Sequence, residues 1–267
     1  MVRSISLPLR LATIVFVVLT AVFLLAPLVV VIGVSVSESQ FIAFPPKDFS
    51  LRWYEAVIGS DAFVDAAWIS LRVAVLVTLT STLIGGAAAI AIHRRALPFS
   101  GALATVFLSP LVLPTIIYAI GMLMLWSAIF GPVSIVTLWI SHTVITLPYV
   151  VRTTLAVLSE SNPFLEEAAQ TMGANRFQRL WLVVVPQCRP GLIAGAFFAF
   201  NISFDEAVLA LFLRKPGLTT LPVQIYGQLE FSPDPSVAAV STIMIALTVT
   251  LILIIDRLLG VQKFASS

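Results

Sequence analysis

The chain has 267 residues, of which 59% are hydrophobic and 10% charged, and a formal net charge of +2. Soluble domains carry about 25% charged residues, so a water-soluble fold of this size is excluded and lipid must solvate most of the chain. A nucleic-acid partner is excluded as well, because no basic patch interleaved with aromatics occurs.

A membrane-crossing helix needs about 20 apolar residues. The first such stretch, 11–34, follows Arg3 and Arg10. It is longer than the roughly 7–15 residues of a signal-peptide core, which predicts a retained span. A second, 73–92, lies between Arg72 and His93. From Ala96 to Val151 no Asp, Glu, Lys or Arg occurs, enough for two spans, 101–125 and 133–151, with a turn near Trp126 and Gly131-Pro132. Residues 190–213 and 236–255 supply the fifth and sixth. The fold class expected is all-α, a polytopic membrane protein of six transmembrane helices in a single transmembrane domain, 1–267.

Six spans place both termini on one side, and Lys and Arg select which. The segments on that side hold Arg3, Arg10, Arg94, Arg95, Arg257 and Lys263, and the stretch from Arg152 through Arg176 and Arg179 to Arg189. The opposite segments hold Lys47, Arg52, Arg214 and Lys215, with Arg72 at a helix mouth. The asymmetry predicts a multi-pass protein of the bacterial plasma (inner) membrane with both termini cytoplasmic. On the outer side, 37–66 carries Phe41, Phe44, Trp53 and Tyr54, which suits a segment lying along the membrane surface.

The largest cytoplasmic feature is the loop between spans four and five, with a helical hairpin at 160–186. Asn162 caps a helix opening at Pro163, with Glu166 and Glu167 in its first turn. Gly173 supplies a left-handed stop, Asn175 caps a second helix through Phe177, Leu180 and Trp181, and Pro186 breaks the pattern before the next span. Small Ala168 and Ala169 beside the acidic pair permit close approach of another protein's backbone. Local physics alone leaves two readings open, a docking peg for a cytoplasmic partner and an amphipathic hairpin resting on the membrane.

Glu167-Ala168-Ala169, Gly173 and Pro186 resemble, in residue type and register, the EAA loop of ABC importer permeases. Val183 and Val185 stand where that family usually has Ile and Leu. The resemblance implies that the hairpin is a pair of coupling helices seated in a groove of an ATPase subunit. Arg52-Trp53-Tyr54, Ser109-Pro110, Thr146-Leu147-Pro148-Tyr149-Val150-Val151, Ser203-Phe204-Asp205-Glu206 and Leu221-Pro222-Val223-Gln224-Ile225-Tyr226 extend it to the spermidine/putrescine class, nearest the second of its two permease partners. That class implies a heterodimer with a second permease subunit, two ATPase subunits and an extracytoplasmic solute-binding protein. It also implies a small amine-bearing solute, a polyamine or related nitrogen compound.

A carboxylate in lipid is costly and marks a functional candidate. Asp205 and Glu206 fall in the expected fifth span. Asn201 and Asp205 share a face at i,i+4, while Glu206 is turned away. On one reading Asn201, Ser203, Asp205 and Glu206 belong to the substrate path; on the other they make contacts to a paired subunit or reach toward the outer surface. Polyamine members of the class often carry an acidic residue where Leu111 stands, which favours a less highly charged solute. Ser109-Pro110 and Pro114 predict a kink in the third span, Gly85-Gly86 predicts close helix packing, and His142 reads as an interhelical contact.

No catalytic residues and no metal-ligand set are expected. There is no G-x-x-x-x-G-K-[ST] loop and no nucleophile elbow or zinc-protease motif, so the chain is not expected to be an enzyme. ATP and Mg are expected on the partner ATPase and no cofactor in this chain. The alternatives are an ion-gradient-driven secondary transporter, which has no use for the 160–186 hairpin, and an ABC permease for a different solute class.

Overall fold

The structure, a computed structural model, describes residues 7–94 and 99–259. Arg3, Arg95 and Lys263, part of the expected charge asymmetry, lie outside the described residues. Among the described residues the chain is helical, with isolated bridges only at Ser37–Phe49 and Lys215–Leu218. Five helices are long and apolar enough to span a membrane, or six if one sharply bent pair counts as a single span. The chain divides into two compact units, Met1–Asp61 with Ile225–Leu247, and Ala62–Gln224 with Thr248–Ser267.

In the first unit, α1 (Leu7–Ser35) is apolar on every side and exposed over nearly all its length, as a helix with lipid for its solvent can be. The segment after it is pinned by backbone bonds from Ser50 to Val36 and from Glu38 to Asp48, and leads into α2 (Arg52–Ile58). The Tyr54 hydroxyl lies 2.7 Å from Ser35 Oγ, and Trp53 Nε1 donates to the Ser39 carbonyl. The expected surface segment is therefore a folded flap against the end of α1. Trp53 and Tyr54 serve that fold, while Phe41 is exposed.

The second unit opens with α3 (Asp61–His93), which begins well before the expected span because Asp61 complements the helix N-terminus. Helix α4 (Ser100–Leu108) is followed by a 3₁₀ turn, Ser109–Val112, and by α5 (Thr115–Ile129). These pieces meet at 104°, so the expected continuous third span, 101–125, is broken outright. Leu113 precedes Pro114 and is driven to extended backbone, ψ 131°, because a proline clashes with a helical residue before it.

Helix α6 (Ile135–Ser159) starts from a Ser134–Thr137 capping box just past Gly131, whose φ is +83°. Helix α7 (Phe164–Thr171) and the single turn α8 (Arg176–Arg179) form the hairpin. From α8 the chain passes through a π-helical stretch, Leu180–Val184, directly into α9 (Val185–Asp205). Pro186 therefore does not break the chain, contrary to expectation. The widened turn before it accommodates the missing N–H and the ring that would clash in a regular helix.

The fifth span also ends earlier than the expected 190–213. Glu206 turns extended, ψ 104°, and a short α10 (Val208–Phe212) follows. Helices α11 (Leu221–Phe231) and α12 (Ser236–Leu259) complete the chain.

Small residues set how closely the spans approach. A Cβ on Gly191 would meet the Thr153 carbonyl at 2.7 Å, and one on Gly195 would meet Val150 Cα at 2.8 Å. The α6–α9 crossing is thus backbone against backbone, the arrangement small-xxx-small spacing permits. A Cβ on Gly85 would meet Val150 at 2.9 Å, so α3 closes on the same part of α6. Ser81 Oγ bonds Thr146 Oγ1 at 2.7 Å, and Thr80 lies 3.1 Å from Thr143 Oγ1. Helix α6 is the central post of this unit.

Candidate coupling surface and solute path

The hairpin is built by local capping. The Phe164 amide donates to Asn162 Oδ1, which satisfies an orphan donor at the start of α7. At the other end Gly173 has φ +86°. The Ala174 amide reaches the Ala169 carbonyl and the Gly173 amide reaches Gln170, the paired closure of a Schellman stop. Asn175 and Gln178 exchange side-chain and backbone bonds at 2.9 and 2.8 Å, which starts α8 two residues later. The two helices are joined by only four residues, 172–175.

On α7, residues advance about 100° each. Phe164, Ala168 and Met172 therefore form one stripe, flanked by Leu165 and Glu167, while Glu166, Ala169 and Gln170 point the other way. Phe164 is 69% exposed and Met172 87%, while Glu166 and Ala169 are half-buried and Gln170, though on their side, is exposed. Ala168 and Ala169 are thus turned about 100° apart, and only Ala168 lies on the open stripe. Phe177, Trp181 and Leu182 continue the exposed apolar surface beyond the turn. Pro186 lies past this surface, inside the continuous helix.

The inward side of α7 is polar. Arg94 Nη2 donates to Glu166 Oε1 at 2.5 Å. Arg179 Nη1 donates to Gln170 Oε1 at 2.5 Å and lies 4.0 Å from Glu166. Beneath them Leu158, Val184 and Cys188 form an apolar cluster with Ile90, Leu180 and Leu192. That cluster gathers the ends of α3 and α6 and the start of α9. Glu166 was legible only as first-turn charge; Arg94, far away in sequence, carried no signal that it would meet it.

The expected path residues do not stand together. Asn201 Oδ1 accepts from Thr248 Oγ1 at 3.2 Å, and its Nδ2 is buried without an acceptor among the described residues. Ser203 points the other way, buried and 3.1 Å from His142 Nδ1. It holds α9 to α6 and does not share a face with Asp205. Asp205 is exposed at the last turn of α9. Glu206 is outside the helix, and its carboxylate accepts from the Leu209 amide at 3.0 Å, capping α10. Asn201 and Asp205 remain on one side of α9; Ser203 and Glu206 hold the local fold.

The sequence matches the family model described as "Binding-protein-dependent transport system inner membrane component" over residues 81–262. It is 31% identical over 235 residues to the spermidine/putrescine transport system permease protein PotC of Escherichia coli (strain K12), covering 86% of this chain and 87% of that protein. It is 27% identical over 245 residues to the putative 2-aminoethylphosphonate transport system permease protein PhnV of Salmonella paratyphi A, covering 90% and 91%. The fold is similar to that of a chain of a bacterial ABC transporter involved in the import of the acidic polysaccharide alginate, with TM-score 0.74 and 14% identity, covering 94% and 95%. It is also similar to a chain of the MetNI methionine ABC transporter, with TM-score 0.61 and 20% identity, covering 74% and 94%.

Proposed function

The chain belongs to the family of binding-protein-dependent transport system inner membrane components, and from that premise we propose that it is one of two paired permease subunits of an ATP-driven importer for a small amine-bearing solute. It is a transport permease and not an enzyme, a multi-pass protein of the inner membrane. ATP and Mg are held by two separate ATPase subunits, and a solute-binding protein delivers cargo on the outer side. Both termini and the 160–186 hairpin face the cytoplasm, in keeping with the excess of Arg on that side.

The observation that carries this reading is the open stripe of α7. Phe164, Leu165, Ala168 and Met172 present apolar surface to solvent at the tip of a charged hairpin. Exposed apolar surface of this kind marks an interaction site, and helix-in-groove docking lays the apolar face of a helix into a partner's groove. Glu167, Ala168 and Gly173 are the docking residues, with Ala169 packing behind them and Pro186 setting the exit into α9. Solute passes Asn201 and Asp205, whose acceptor oxygens suit an ammonium group.

Alternating access follows from a difference in binding energy between two states. ATP draws the ATPase pair together, the groove displaces α7, and the spans rearrange around the solute. A polyamine is the first candidate, supported by the PotC likeness. Leu111 and the PhnV likeness support a smaller amine carrying an anionic group.

Co-purification tests the docking. Ala168→Arg places a long charged side chain in the centre of the stripe and is expected to lose the ATPase subunits while the permease still inserts. Retention of the ATPase at wild-type level would overturn the assignment, as would labelling of Met172→Cys by an impermeant thiol reagent from outside intact cells.

A further inference from the structure

Helix α7 has two routes into the membrane-embedded bundle. One is covalent: α8 runs through the π-helical stretch into α9 without a break. The other crosses a gap in sequence. Arg94, whose amide still bonds the Ile90 carbonyl at the end of α3, donates to Glu166 on the inward side of α7 at 2.5 Å. Glu166 and Arg94 side chains are 29% and 30% exposed.

An isolated exposed ion pair holds geometry poorly, but several charges in a network do better. Here Arg179 faces Glu166 at 4.0 Å and donates to Gln170 one turn further along α7. Two guanidinium groups, one from Arg94 just past the end of α3 and one from α8, thus grip successive turns of the same helix face. The apolar cluster of Ile90, Leu158, Val184 and Cys188 beneath the grip keeps the three span ends together.

We infer that Arg94 and Glu166 form a clasp that makes α3 a second recipient of the movement of α7, so that the docking helix drives two spans and not only the one it is chained to. The inference rests on the docking reading of the hairpin. Arg94 and Glu166 are positioning residues: neither touches solute or nucleotide. Further along the same helix α3 is registered on α6 through Gly85 and Ser81, so a displacement taken up at Arg94 passes to the central post of the unit.

The test uses the assembled transporter in lipid with Cys188→Ala as background. An environment-sensitive fluorophore is placed on α3 at Leu83→Cys or on α9 at Phe198→Cys, both exposed positions, and its spectrum is followed on addition of ATP and vanadate. In the unmutated clasp both labels are expected to respond. Arg94→Gln and Glu166→Gln are each expected to reduce the α3 response at least fivefold and leave the α9 response within twofold. Arg94→Lys is expected to restore at least half of the α3 response. An undiminished α3 response in both glutamine variants would overturn the clasp, as would equal loss at both labels, which would mean a general disturbance of the hairpin. No response at either label in the unmutated complex would overturn the docking reading, and the clasp with it.

Discussion

Thr153 Oγ1 donates a 2.9 Å hydrogen bond to the carbonyl of Gly191. A threonine on α6 thereby bonds to the backbone of α9 at the place where the two helices are closest, and the bond exists because Gly191 has no side chain to hold them apart. The main crossing of the second unit depends on that absence.

Gly191→Ala is therefore expected to destabilise the bundle by about 1–3 kcal/mol, the usual range for overpacking. The added methyl would face backbone atoms of Thr153 and Thr154 inside 2.9 Å, which cannot swing aside as a side chain would. Gly86→Ala is expected to cost less, because the atom in its way is the Leu192 side-chain tip. Thermal unfolding of the detergent-solubilised complex compares them.

The Ser81–Thr146 bond tests how much a buried hydroxyl pair contributes between spans. Interhelical hydrogen bonds in lipid average about 0.6 kcal/mol and reach about 1.7 kcal/mol. Ser81→Ala, Thr146→Ala and the double variant form a cycle whose coupling energy is expected in that range. A zero coupling energy would mean that this pair adds nothing to the α3–α6 contact.

Ser203 and Asp205 are expected to separate in their effects. Ser203→Ala leaves buried His142 without its partner and is expected to cost about 1–3 kcal/mol of stability, with an unchanged KM for transported solute in the folded fraction. Asp205→Asn is expected to leave stability within about 0.5 kcal/mol and to raise KM for an amine solute. Uptake kinetics beside unfolding curves distinguish the two, and a KM shift from Ser203→Ala alone would return that residue to the path.

Gly173 offers a graded series. At φ +86° a β-branched residue is strained, whereas Asn tolerates the left-handed region. Gly173→Val is expected to insert normally and lose uptake, with a local cost of about 1–2 kcal/mol. Gly173→Asn is expected to keep much more of it. Uptake normalised to membrane-inserted protein is the measurement, and normal transport by the valine variant would refute the need for that stop.

Legibility in the sequence followed the range of the interactions. Asn162, Gly173 and Asn175 act on amides within a few residues, so their caps could be read directly. Leu113-Pro114 announced a kink, but the 104° bend depends on how α5 packs with α10 against Val73, Val77 and Leu138, which no local pattern contains. Pro186 misled because a π-helical turn can absorb a proline and periodicity cannot foresee one. The end of α9 at Asp205 has no Gly or Pro beside it. It is set by the capping bond that the Leu209 amide donates to the Glu206 carboxylate. Gly191 and Gly195 at small-xxx-small spacing were available as a packing signal, whereas Arg94 meeting Glu166 was not.

The uninterrupted passage from Arg176 to Asp205 makes a helical lever arm about 45 Å long. A tilt of roughly five degrees at its hairpin end would sweep Asp205 through about 4 Å. Angular motion too small to disturb the caps of the hairpin is thereby magnified at the far end, and no hinge residue is required between them.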